Sequence, residues 1–212
     1  MLSDTSTLAS FLPEGMAPKF LDILQKNQAT LKITKDRKSK FGDYRWPTKA
    51  HPFHRISVNG TLNPYAFMTT LIHEIAHMLT RIQFDKNVTH HGKEWKACYG
   101  NLLRHFAQFE QIPQDLRDAW IRHSHNPKAS TVGDAHLFRI LNSYNITDDN
   151  GKTYLSELEP GDFFSLGKKL FRFEKKRRTK ILSKDLDSKR MYLVHHLAEV
   201  QRIELPNKEK VD

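Results

Sequence analysis

Cysteine is almost absent from this sequence, with Cys98 alone among 212 residues. A single cysteine forms no intramolecular disulfide, and it excludes a zinc ribbon built on cysteine ligands. Any metal site must therefore use histidine and carboxylate side chains, and twelve histidines are present. Cys98 falls among apolar residues at helical spacing, which favours core packing over a catalytic role.

Long apolar runs are also missing. No stretch reaches the roughly 18 apolar residues that a membrane-spanning helix needs. The first residues lack the basic start and apolar segment of a signal peptide, so we expect a cytoplasmic protein with no membrane partner. The composition, 38% hydrophobic and 27% charged, is typical of a globular chain, and a monomer is favoured.

The charge balance is strongly basic, at +10, with a sequence pI near 9.6. It predicts a polyanionic partner such as DNA, and the alternative is a generally solvated basic surface. Most of the excess lies between Ser165 and Lys184, where Phe171 and Phe173 alternate with cations as on a nucleic-acid-binding strand. The competing interpretation places both rings in a β core. The candidate nucleic-acid-binding residues, called the basic segment below, are Lys168, Lys169, Arg172, Lys175, Lys176, Arg177, Arg178 and Lys180.

Hydrophobic periodicity predicts an α+β fold. After a loose lead-in over residues 1–15, it predicts a helix over 17–28, a small β meander with strands over 30–34, 41–46 and 54–59, a basic turn over 35–40, a long helix over 64–82, and helices near 91–110, 113–123 and 132–144. Short apolar segments after the turn at 148–151 predict a small antiparallel β unit. The expected domains are 1–150 and 151–205, followed by a flexible tail over 206–212.

The long helix carries the pattern that dominates the sequence, His73-Glu74-x-x-His77. Asn63-Pro64 marks its start, since asparagine caps helices and proline suits the first turn. Residues four apart share a helix face, so both imidazoles can bind one metal ion. Glu74 stands beside them, where a general base would take a proton from a water activated by the metal. We expect the opposite face of the helix to be the buried one.

A third ligand is needed if zinc is to keep one position open for water. His90, His91 and Glu94 are the candidates, and the metzincin arrangement is excluded because Thr80 and Gln83 replace its glycine and histidine. Glu94 would give a thermolysin-like site. His91 is favoured because Gly92 follows it at a helix start.

His73-Glu74-Ile75-Ala76-His77 followed by His91-Gly92-Lys93-Glu94-Trp95 resembles the SprT-like metallopeptidases, and the resemblance covers residues 15–110. It implies a zincin-like fold, with one zinc ion held by His73, His77 and His91, and Glu74 as the catalytic base. Many relatives end in a cysteine-ligated zinc ribbon. Residues 163–200 are similar to the β meander of such a ribbon without its cysteines, which weakens any inference about DNA.

The predicted function is therefore a zinc-dependent endopeptidase acting on protein or peptide substrates, including proteins associated with DNA. The alternative is a non-catalytic nucleic-acid-binding protein with a structural or vestigial metal site. An intact Glu74 favours catalysis, because a structural zinc site needs no base. Tyr44, His54 and Arg81 are candidates for stabilising the oxyanion, and the spacing selects none of them.

Overall fold

The structure, a computed structural model, describes residues 5–35, 40–84, 88–130, 133–145 and 151–204. Within these residues the chain is an α+β protein with two sheets, as predicted. It divides into two compact units, Met1–Ile146 and Thr147–Asp212. Most of the predicted turns at 35–40 and 148–151, and the whole predicted tail, lie outside the described residues.

The first unit is mainly helical. Its elements are α1 (Thr5–Ala9), α2 (Ala17–Lys26), β1 (Ala29–Thr34), β2 (Gly42–Arg45), β3 (His54–Asn59), α3 (Pro64–Phe84), α4 (Lys93–Phe106), α5 (Gln114–Ser124) and α6 (Ala135–Ser143). The predicted loose lead-in is wrong for its described part, which contains α1. Leu8, Leu12 and Met16 are buried in the hydrophobic core, and they anchor the N-terminal segment to it.

The three strands of this unit do not form the predicted meander. Their order is β1-β3-β2, with β1 parallel to β3 and β2 antiparallel to it. β3 therefore inserts between two strands that precede it in the chain. Leu31, Ile56 and Val58 are buried, and the alternation of side chains along a strand puts the residues between them on the opposite face.

Helix α3 is central to the first unit. The Asn63 side chain caps it as predicted, accepting hydrogen bonds from the backbone N–H groups of Tyr65 and Ala66 at 3.1 and 2.9 Å. The prediction that only the apolar face of this helix is buried is wrong. Thr69 and Glu74 are buried, while Ile82 is 49% exposed. The helix is covered on several sides because β2, β3 and α4 all pack against it.

The second unit is a six-stranded antiparallel sheet in the order β4-β9-β5-β6-β7-β8. The strands are β4 (Lys152–Tyr154), β5 (Phe163–Leu166), β6 (Lys169–Lys176), β7 (Lys180–Asp185), β8 (Met191–His195) and β9 (Glu199–Ile203). Phe164, Phe171, Phe173 and Ile181 lie in its hydrophobic core. Among the described residues, no helix of either unit has the length and apolarity to cross a membrane.

Candidate metal centre

Three of the predicted metal ligands meet at one point. His73 and His77 project from successive turns of α3, and His91 reaches them from the connection that leads into α4. The Nε2 atom of His77 lies 3.1 Å from that of His73 and 3.1 Å from that of His91, and the third pair is 3.4 Å apart. These residues are called the three-histidine cluster below.

The spacing of the three nitrogens fits a metal ion better than hydrogen bonds. Each Nε2 atom is either a donor or an acceptor, so among three atoms at least two share the same role. Hydrogen bonds therefore cannot join all three pairs. Nitrogens bound tetrahedrally to one zinc ion at about 2.0–2.1 Å lie about 3.3 Å apart, which matches the observed triangle.

The protonation state of the cluster suits metal binding. Burial, with a smaller contribution from neighbouring imidazoles, lowers the pKa of His73 to about 3 and that of His77 to about 2. Burial and the nearby His90 also lower the pKa of His91. All three rings are therefore neutral at pH 7, with a lone pair available for a metal.

The other two candidates for the third ligand lie beside the cluster. The His90 ring packs 4.2 Å from that of His77, but His90 is exposed and its Nδ1 is 3.5 Å from the Nδ1 of His91. Glu94 is half-buried, 3.8 Å from the ammonium of Lys93. Within the described residues, His91 is the candidate whose nitrogen completes the group of three.

Trp95 forms the floor of the cluster. Its indole is fully buried, and its ring centroid lies 4.7 Å from that of His73, 5.1 Å from that of His77 and 4.5 Å from that of His91. One rigid side chain of α4 thus contacts imidazoles from both α3 and the connection before α4. Trp95 therefore fixes the relative positions of the three rings.

A further layer behind Trp95 was missed by the sequence reasoning. Tyr99 is buried, its ring 5.0 Å from Trp95 and 5.3 Å from His73, and burial raises the pKa of its hydroxyl. The His123 ring of α5 lies 5.9 Å away, and its Nδ1 is 2.7 Å from an Asp134 oxygen. The spacing of four between His91, Trp95 and Tyr99 could have indicated that these residues share one face of the helix predicted near 91–110. No local sequence pattern identifies His123.

Glu74 lies beside the three-histidine cluster in a tight space. Glu74 is 6% exposed, and its side chain packs against Gly42 of β2. A Cβ atom on Gly42 would lie 2.8 Å from the Glu74 Cγ, closer still to its Oε1, and 2.8 Å from the Thr70 Cγ2. Glycine at this position therefore leaves the room that the carboxylate occupies.

The three oxyanion candidates lie close to one another. The Tyr44 hydroxyl is 2.9 Å from the His54 Nδ1, and burial raises the pKa of Tyr44 to about 12. Burial, followed by the charge of Arg81, lowers the pKa of His54. The Arg81 guanidinium stacks 5.1 Å from the Trp46 ring. The structure groups the three candidates and selects none of them.

The basic segment lies in the second unit, on β6, β7 and their connecting turns, and all eight cations are exposed. The prediction that Phe171 and Phe173 stack on bases is wrong, because these rings are 4% and 1% exposed and pack in the core. Lys169 is paired with Asp185 at 2.9 Å. The other cations of the basic segment form a charged surface on which Phe171 and Phe173 of β6 offer no exposed ring for a base to stack on.

The geometry defines an α+β protein in which a long, buried helix carries two of three clustered histidines beside a buried glutamate. A model of the SprT-like family matches residues 17–115, a segment that includes the complete three-histidine cluster. The match agrees with the resemblance carried by the motifs, and it covers this segment alone. No curated protein and no solved structure matches the chain.

Proposed function

We propose that this protein is a zinc-dependent endopeptidase with a zincin-like site. The observation that carries the proposal is the triangle of Nε2 atoms, 3.1, 3.1 and 3.4 Å apart, next to a buried glutamate. The match to a family associated with metallopeptidases supports it. Three neutral imidazoles are a donor set that zinc prefers, and they leave its fourth position open.

His73, His77 and His91 would hold the ion, and Glu74 would move the proton. A bound zinc ion lowers the pKa of a coordinated water to about 7 and polarises a carbonyl group. The Glu74 carboxylate would accept a proton from the attacking water and would then donate it to the amine that leaves. Its burial beside Gly42 keeps it in one position for both transfers.

The direct test is metal analysis of the purified protein together with a casein cleavage assay. We expect about one zinc ion per chain, and cleavage that a chelator abolishes and added zinc restores. Running the assay with and without single-stranded DNA tests whether nucleic acid activates the enzyme. A protein that binds no zinc and cleaves no substrate in either condition would contradict the proposal.

Gly42→Ala should uncouple metal binding from catalysis. The added methyl group displaces the Glu74 carboxylate, and a misplacement of about 1 Å costs about 10²-fold in rate. We expect zinc content to remain at the wild-type level, because the atoms nearest to a Cβ on Gly42 belong to Glu74 and Thr70 and not to a histidine of the cluster. The measurements are zinc stoichiometry and casein cleavage per folded protein.

Gly60→Ala is the matched control. A Cβ there would lie 2.8 Å from the Ile33 Cγ2 and 3.1 Å from the Phe11 Cε1, so the added methyl group is also crowded, though less tightly and by residues other than Glu74. It should lower thermal stability without lowering the cleavage rate of the folded protein. Equal rates for Gly42→Ala and Gly60→Ala would remove the close packing of Gly42 against Glu74 from the mechanism.

We further propose that the basic segment binds DNA and so directs the enzyme to DNA-associated proteins. Reversing Lys175, Lys176, Arg177 and Arg178 to glutamate should weaken DNA binding. Four lost phosphate contacts reduce the slope of log K against log salt by about 3. Fluorescence anisotropy at several salt concentrations measures both effects.

The control reverses four exposed cations of the first unit, Lys26, Lys49, Arg122 and Lys128. It changes the net charge equally but leaves the basic segment intact. If both variants lose the same affinity, net charge alone attracts DNA. Salt-dependent DNA binding with no cleavage under any condition would favour a non-catalytic nucleic-acid-binding protein instead.

A further inference from the structure

A cleft lined by both polar and apolar groups lies on the outer face of the β1-β3-β2 sheet. Its volume is about 550 Å³, and its polar lining includes Thr30, Lys32, Arg45, Arg55 and Ser57. Leu31 and Ile56 also line the cleft, but their side chains, like that of Tyr44, pack with the hydrophobic core. The cleft therefore opens on the face of the sheet that is turned away from the core, separate from the three-histidine cluster.

Two arginines lie side by side on adjacent strands in this cleft. Arg45 of β2 and Arg55 of β3 are direct partners in the antiparallel register, while Lys32 of β1 pairs with Ser57, two residues along β3 from Arg55. Like charges directly opposite each other on adjacent strands destabilise a sheet. The register thus places two like charges opposite each other on this face, with Lys32 on the next strand.

The carboxylate in the cleft does not neutralise all of this charge. Asp43 binds the Lys40 ammonium at 2.6 Å and the Arg45 Nε at 2.9 Å. Burial alone would raise the pKa of Asp43, but these two cations outweigh burial and lower it. Asp43 is therefore ionised and already shared between two partners.

Within the part of the chain that the structure describes, Arg55 has no anionic partner. Its Nε is buried and has no hydrogen-bond partner, and the described residues offer it no ion pair. A buried guanidinium N–H with no acceptor costs stability, and a ligand oxygen would remove that cost. The buried Nε of Arg55 thus points to an anionic ligand, as does the cluster of cations in the cleft.

We propose that this cleft binds the phosphodiester backbone of nucleic acid. Guanidinium groups bind phosphate through paired N–H donors. The cations lie on three adjacent strands, which span about 10 Å, so they suit a chain of phosphates rather than one ion. No aromatic side chain lines the described cleft, so it holds the backbone without stacking bases.

The test compares Lys32→Gln/Arg55→Gln with the control Lys26→Gln/Arg122→Gln, which removes two exposed cations elsewhere. Both variants are made in the full chain, with the basic segment intact and with Lys175, Lys176, Arg177 and Arg178 reversed. Anisotropy of a labelled 30-nucleotide DNA, single-stranded or duplex, is measured from low to high salt. Thermal unfolding without DNA checks the fold.

Two lost phosphate contacts should lower affinity by about 25- to 60-fold at 0.1 M salt and reduce the salt slope by about 1.4–1.8. The control should keep wild-type affinity within a few-fold. The cleft variant should unfold at no lower temperature than wild type, since it relieves the opposed charges. The same loss of affinity should appear in the background in which Lys175, Lys176, Arg177 and Arg178 are reversed.

Several results would overturn the proposal. They are unchanged DNA affinity in Lys32→Gln/Arg55→Gln, an equal loss in the control, or a loss seen only while the basic segment is intact. Polyglutamate of matched length that binds as tightly, and loses the same factor, would assign the cleft to acidic polypeptides. Inorganic phosphate that binds at Arg55 while DNA affinity is unchanged would assign it to a small anion.

Discussion

Replacing Glu74 with glutamine is expected to abolish most peptide cleavage while leaving zinc bound. The amide has nearly the same shape as the carboxylate, so it fits the space beside Gly42. It cannot accept a proton from the attacking water, and loss of a general base costs about 10²–10⁴-fold in rate. Metal analysis and casein cleavage on the same preparation measure both quantities.

His77→Ala is the contrasting variant. It removes the imidazole whose Nε2 lies 3.1 Å from each of the other two, so both zinc and cleavage should be lost. The pair of variants separates proton transfer from metal binding. Full cleavage by Glu74→Gln would refute its role as the base, whereas loss of zinc in that variant would show that the carboxylate supports the metal centre.

Trp95→Ala should damage stability and metal binding together. The indole is fully buried, and truncating such a tryptophan costs about 3–5 kcal/mol in the free energy of unfolding. It also removes the floor against which the three imidazoles pack, so the folded fraction should bind zinc more weakly. Chemical denaturation and chelator competition measure the two effects.

Trp120→Ala provides a control of the same chemistry. Trp120 is equally buried, but its indole donates a hydrogen bond to the Thr69 hydroxyl at 3.2 Å and contacts none of the three histidines in the described ring contacts. It should lose a similar amount of stability while its folded fraction keeps the zinc affinity of wild type. Equal zinc affinities for the two variants would contradict the role of Trp95 as a floor.

The sequence predicts α3 and the common face of its two histidines well, because both depend on local chemistry. A cap at Asn63 and a spacing of four residues between His73 and His77 are properties of one helix. The order β1-β3-β2 depends on contacts between distant segments, which periodicity does not encode. For the same reason Gly42 could not be identified: its importance comes from the Glu74 side chain that it faces.

The basic segment illustrates a different limit. The alternation of Phe171 and Phe173 with cations correctly predicts a strand, but it does not show which face of that strand is buried. The structure turns both rings inward, so the cations alone remain at the surface. On the other sheet, the opposed arginines are not visible in the sequence because Arg45 and Arg55 belong to different strands whose register only the fold sets.

The contacts of α5 also set the length of chain that folds as one cooperative unit. Trp120 bonds to α3, and the Ser124 carbonyl oxygen approaches α4 so closely that a Cβ on Gly100 would lie 2.5 Å from it. A fragment cut at residue 115, where the family match ends, would expose these surfaces to water. The smallest stable fragment that keeps the three-histidine cluster should therefore extend through Ser143, the last residue of α6, because the Leu141 carbonyl of α6 accepts a hydrogen bond from the Asn63 side chain.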